Sequence, residues 1–81
     1  MRKWEISNAE KEFERLLAIS KFNIVDIKEY QTKTKYLIEK DGLRIRFDFQ
    51  HENNTIARGK QEFEWLCKQY EMKKLLATME V

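Results

Sequence analysis

The chain contains no proline, two glycines, one cysteine and one histidine among 81 residues. Each scarcity removes a class of explanation. Without proline no element is interrupted by a missing backbone donor, so long unbroken helices and strands are permitted. With only Gly42 and Gly59 there is no glycine-rich phosphate loop. Cys67 has no partner for an internal disulfide and no Cys/His set offers a structural metal site, so apolar packing must hold the fold. A lone His51 in a polar stretch forms no nucleophile–base pair, and Asp48, His51 and Glu52 read as an exposed loop rather than as metal ligands. No apolar run approaches the roughly 20 residues that span a bilayer. Trp4-Glu5-Ile6 gives way to polar residues instead of the apolar core of a secretory signal. A single soluble, cytoplasmic domain over residues 1–81, without cofactor, metal or membrane association, is expected.

Charge of one sign is also scarce. The net charge is +2 although 37% of residues are charged. Five Lys/Arg face four Asp/Glu up to Lys21, six face six over residues 22–57, and five face four from Arg58 onward. No segment is a basic arm for nucleic acid, and a solvated surface laced with ion pairs is the simplest reading.

What the sequence does contain is a hairpin over residues 34–49, TKYLIEKDGLRIRFDF. Asp41-Gly42 is a strong type I′ turn signal, because that turn needs φ > 0 at both central positions. Closing the ladder over it sets Lys40 opposite Leu43, Glu39 opposite Arg44, Ile38 opposite Ile45, Leu37 opposite Arg46, Tyr36 opposite Phe47 and Lys35 opposite Asp48. Tyr36, Ile38, Ile45 and Phe47 then share one face, and opposite charges meet on the other.

Before the hairpin, Ser7-Asn8-Ala9-Glu10 fits a capping box in which the Ser7 hydroxyl accepts from the Glu10 N–H and the Glu10 carboxylate reaches back. A helix of about four turns follows, with Ala9, Phe13, Leu16 and Leu17 on its apolar side. Residues 22–30 read as a strand whose two apolar phases, Phe22/Ile24 and Val25/Ile27, require a bulge or a late start. After a polar loop over 50–57, a last helix begins near Gly59 as its N-cap. Phe63, Leu66, Cys67 and Tyr70 mark one stripe of that helix. Met72, Leu75, Leu76 and Met79, joined by Trp65, mark another about two and a half turns away in phase, on the opposite side.

The architecture this predicts is α+β, in the order helix-strand-strand-strand-helix, with a three-stranded antiparallel sheet and both helices packed on one face. It leaves the second stripe without a cover inside the domain, unless the last helix breaks near Glu71 or Trp4 and Ile6 fold over it. The expected function is that of a small non-enzymatic binding or adaptor module whose interface is Trp65, Met72, Leu76 and Met79, engaging a second copy or a protein partner. The alternative is nucleic-acid binding through Lys33, Lys35, Arg44, Arg46, Arg58 and Lys60.

That alternative has a topological basis, since the element order resembles the double-stranded RNA-binding domain over most of the chain. The resemblance implies contacts from the loop between the first two strands and from the start of the last helix. Here that loop is Gln31-Thr32-Lys33, without the family's histidine, and the lysine-rich helix start is reduced to Arg58 and Lys60. Asp26-Ile27-Lys28 also has the short form of a metal-dependent nuclease motif, but no preceding strand carries the second acid.

Overall fold

The computed structural model describes residues 7–52 and 55–79. Helix α1 (Asn8–Ile19) is followed by strands β1 (Asn23–Glu29), β2 (Lys33–Lys40) and β3 (Leu43–Gln50) and by helix α2 (Ile56–Met79). The strands form one antiparallel sheet in the order β1-β2-β3, and both helices lie on one face of it. Trp4 and Ile6, suggested above as a cover, lie outside the described residues.

The hairpin forms as its sequence dictates. Asp41 and Gly42 have φ of 51° and 80°, the positive values of a type I′ turn. Every expected pairing from Lys40↔Leu43 to Lys35↔Asp48 is present, and the ladder runs on to Lys33↔Gln50. One expected ion pair is exchanged: Asp48 meets Lys33 at 3.6 Å, while the Lys35 ammonium lies over the Tyr30 ring. In β1 the register shifts between Ile24 and Asp26. Val25 is the extra residue of that bulge, which reconciles the two phases by facing both Ile24 and Ile27 inward, opposite Ile38 and Tyr36.

The core lies between the sheet and the helices. Phe13 of α1 sits over three strand aromatics, Tyr36, Phe47 and Phe49, at centroid distances of 5.2, 5.4 and 5.1 Å. Ala9, Leu17, Phe22, Ile38, Ile45, Leu66 and Tyr70 complete the buried set, with Ile27, Leu43, Phe63 and Cys67 partly buried around it. Helix α1 stops in a Schellman motif: the Lys21 N–H donates to Ala18 O and the Phe22 N–H to Leu17 O, at 3.2 and 2.9 Å. Lys21 accordingly takes the left-handed conformation, φ 66°, without being glycine. Phe22, one residue later, is buried edge-on against Tyr70 at 5.3 Å.

Two local expectations are corrected. The N-cap of α2 is Thr55, whose hydroxyl accepts from the Arg58 N–H at 3.2 Å, so the helix starts inside the stretch read as loop. Gly59 is a buried interior residue where α2 crosses α1. A Cβ there would stand 2.3 Å from the carbonyl oxygen of Ala9, which is the physical need for glycine. The second correction concerns the capping box. Ser7 Oγ accepts from the Glu10 N–H at 3.2 Å as expected, but the Glu10 carboxylate points into the protein.

Candidate functional site

Helix α2 runs its full length without a break, as expected of a segment with no proline or glycine after Gly59. Over its first half Gly59, Glu62, Leu66 and Tyr70 face inward and are buried. Two contacts then fasten it to the hairpin. Tyr70 Oη donates to Asp41 Oδ2 at 3.1 Å in the turn, and Lys73 Nζ donates to the carbonyl of Arg44 at the start of β3. Past these anchors nothing in the sheet lies beneath the helix, and every residue from Glu71 to Met79 is exposed. Met72, Leu75, Leu76 and Met79 are 61%, 56%, 54% and 72% exposed. These are the spacings i, i+3, i+4 and i+7, so they form one apolar strip on a projecting helical end.

Trp65 continues the strip toward the body of the protein. Its ring carries the Arg58 guanidinium 5.2 Å from the centroid, and Arg58 Nε in turn donates to Glu62 Oε1 at 3.0 Å. Glu62 is almost wholly buried, and burial pushes its carboxyl above the ordinary value while the Arg58 contact opposes that rise. Arg58 thereby serves as a strap that neutralises a buried carboxylate with one edge and covers an indole with its face. Cys67, on the side of α2 toward the core, is partly buried, and burial pushes its thiol up, away from the reactive thiolate.

The residues of the nucleic-acid alternative divide between two layers. Lys33, Lys35, Arg44 and Arg46 belong to β2 and β3, whereas Arg58 and Lys60 are on α2. Three of the six are already occupied by carboxylates: Lys33 by Asp48, Arg44 by Glu39 at 2.8 Å and Arg58 by Glu62.

A polar cluster under the start of α1 was not foreseen. Tyr36 Oη lies 2.8 Å from Glu10 Oε2 and 2.7 Å from Glu14 Oε2, and its single proton serves one carboxylate at a time. Glu10 Oε1 lies 3.4 Å from Thr34 Oγ1 and 3.1 Å from His51 Nε2. His51 is thus drawn in from the loop after β3, its Nε2 also 2.7 Å from Thr34 Oγ1 and its Nδ1 3.2 Å from the carbonyl of Gln31. A carbonyl only accepts, so the Nδ1 position carries a proton, leaving Nε2 to accept from Thr34 in the neutral ring or to donate to Glu10 in the charged one. A nucleophile–base–acid relay needs hydroxyl and carboxylate on opposite ring nitrogens. Here both converge on Nε2, and Thr34 is buried beneath α1, so the cluster braces α1, β2 and the loop against one another. Among the described residues no buried side-chain nitrogen or oxygen lacks a partner, and no group of three or more His, Cys, Asp and Glu is placed to hold a metal ion. The available signal was Thr34 and Tyr36 in the inward phase of β2, two polar groups that would need partners under a helix.

No protein-family model, curated protein or solved structure matches this chain. No helix among the described residues is long and apolar enough to cross a membrane.

Proposed function

We propose that this is a non-enzymatic binding module that works through the projecting end of α2, and that the occupant of that surface is the α2 of a second copy. The observation that carries the reading is the strip Trp65, Met72, Leu76 and Met79, widened by Leu75, which is exposed on a helix end that the sheet does not underlie among the described residues. Self-association is favoured by how the strip maps onto itself. In an antiparallel crossing about a midpoint near residue 70, Trp65 falls opposite Leu75 and Leu76 of the other copy. Lys68, on the flank, then falls opposite Glu71, and two-fold symmetry repeats both contacts. The arrangement seats Trp65 of each copy on Leu75 and Leu76 of the other and brings flanking opposite charges together at once.

Magnitude sets the strength. Burying a whole Leu or Met side chain contributes about 1.5–3 kcal/mol, so hiding the exposed half of each, with Trp65, amounts to about 5 kcal/mol per protomer. A dimer thus gains about 10 kcal/mol against about 4–15 kcal/mol lost in association. The outcome is a weak dimer, no tighter than tens of micromolar.

Sedimentation equilibrium from about 10 μM to about 1 mM tests this, a range that brackets that affinity. The mass should climb toward twice the 9.9 kDa of the chain. Leu76→Glu, at an exposed position, should keep the circular dichroism of the parent and remain monomeric. A parent monomeric throughout, or a folded Leu76→Glu chain that dimerises equally, refutes the reading.

A further inference from the structure

The sheet has a second face that neither helix covers, and its charges are not evenly matched. Arg44 is held by Glu39 and Lys33 by Asp48. Among the described residues no carboxylate comes within the 4.0 Å of an ion pair to Lys28, Lys35 or Arg46. These three cations are neighbours. Lys28 of β1 is registered directly opposite Lys35 of β2, and Arg46 of β3 is registered opposite Leu37, one step along the same face from Lys35. Like charges directly opposite each other on a sheet repel, and an anion between them would reverse that interaction. Between them lies a shallow depression of about 250 Å³. Tyr30 stands at its edge, half exposed, with the Lys35 ammonium 5.7 Å from its ring centroid. Asp26 and Asp48 also border the depression, but Asp48 is engaged by Lys33, which leaves three free cations against one free carboxylate.

We propose that this face binds the phosphodiester backbone of single-stranded nucleic acid, with Lys28, Lys35 and Arg46 contacting phosphates and Tyr30 stacking on a base. Three features select that ligand. The depression, about 250 Å³ on an open sheet face, falls below the roughly 300–1,000 Å³ of pockets that bury a small-molecule ligand. A strand laid across an open sheet instead collects several phosphates in turn, and each one neutralised releases counterions. An exposed aromatic beside a cationic track is the arrangement that accepts unpaired bases of any sequence. Duplex RNA is the poorer match, because Arg58 and Lys60, the cations at the start of the last helix, stand in the other layer and cannot join this track. The site is separate from the strip on α2, so its success or failure is independent of dimerisation.

The test is fluorescence anisotropy with a short labelled oligouridylate, titrated at several salt concentrations between about 50 and 200 mM. Binding should weaken with salt along a log–log slope of about −2, since three phosphates contribute about −0.7 each on a single strand. The triple substitution Lys28→Gln, Lys35→Gln, Arg46→Gln should lower affinity at least ten-fold at the lowest salt and flatten the slope. Tyr30→Ala should weaken binding several-fold with the slope unchanged, which separates stacking from charge. Lys60→Gln should bind as the parent does. All five positions are at the surface, and unchanged circular dichroism confirms the folds compared. No binding at the lowest salt, a folded triple variant that binds like the parent, tighter binding to duplex RNA, or equal competition by inorganic phosphate at matched phosphate concentration would overturn the proposal.

Discussion

Replacing Gly59 by alanine pits two well-defined effects against each other. In the interior of a helix, alanine is favoured over glycine by about 1 kcal/mol, because glycine loses more backbone freedom on folding. By propensity alone, Gly59→Ala should stabilise the protein. The structure reverses the sign. The new methyl would lie 2.3 Å from the Ala9 carbonyl oxygen and 3.1 Å from Glu12 Cβ, where ordinary contact begins at 3.4 Å. The oxygen belongs to the backbone of α1 and cannot rotate away, so α1 and α2 must separate by roughly 1 Å at their crossing. Such a shift lifts Phe13 from the strand aromatics and weakens the seat of Leu66, the type of overpacking strain that costs about 1–3 kcal/mol. A main-chain oxygen that cannot give way puts the strain in the upper part of that range, about 2–3 kcal/mol, so after the propensity gain a net loss of about 1–2 kcal/mol is expected. In urea, where small domains have slopes of about 1–3 kcal/mol per molar, the midpoint should fall by roughly 0.5–1 M. Adding Ala9→Gly should not restore it, since the clash is with the main chain of residue 9. Equilibrium unfolding followed by far-UV circular dichroism reads all three chains. A Gly59→Ala protein as stable as the parent would refute the close crossing, and rescue by Ala9→Gly would show the crowding to be between side chains.

Two further outcomes follow from buried polar groups. Tyr36→Phe keeps the ring against Phe13 but takes away the hydroxyl shared by Glu10 and Glu14, and a buried group that loses its donor costs about 1–3 kcal/mol; a urea midpoint equal to that of the parent would show that this hydroxyl supports nothing. Burial raises the Glu62 carboxyl above its ordinary 4.5, so the folded state holds that proton more tightly than the unfolded state, and the stability Glu62 contributes falls as pH rises from about 4.5 through the folded value. Glu62→Gln removes that dependence, so its stability relative to the parent should improve between about pH 4 and pH 8; a difference constant with pH would contradict the assignment.

The hairpin was legible down to single pairs because one turn dipeptide and a period of two fix everything else. Once Asp41 and Gly42 close, a slip of one residue would carry Tyr36, Ile38, Ile45 and Phe47 to the open face. The stripes of α2 were legible for a similar reason, a period of 3.6 sustained without a breaker. The start of α2 was not. Gly59 has the composition of a cap, and only its placement against the Ala9 carbonyl shows it to be an interior residue chosen for size. Nor could the sequence show that Lys35 goes without a carboxylate, since Asp48 stands opposite it in register. The exchange that sets Lys33 rather than Lys35 against Asp48 depends on Tyr30, which takes the Lys35 ammonium over its ring at the end of β1.

Glu10 shows where local reasoning must give way. Ser-x-x-Glu offers the glutamate a bond back to the N–H of Ser7, at the exposed end of a helix where water serves nearly as well, so the net gain is well under a typical 1 kcal/mol hydrogen bond. Inward, the same carboxylate meets the Tyr36 hydroxyl, Thr34 and His51, groups that lie under α1 and would otherwise be deprived of water without compensation. Leaving one such group unsatisfied costs about 1–3 kcal/mol, so the inward rotamer prevails. Which side wins depends on Tyr36 lying beneath the first turn of α1, 26 residues away along the chain. Ser7 still caps, because its hydroxyl has no such competitor. A capping signature therefore fixes where this helix begins, while the destination of its acidic residue is decided by the strand that the helix covers.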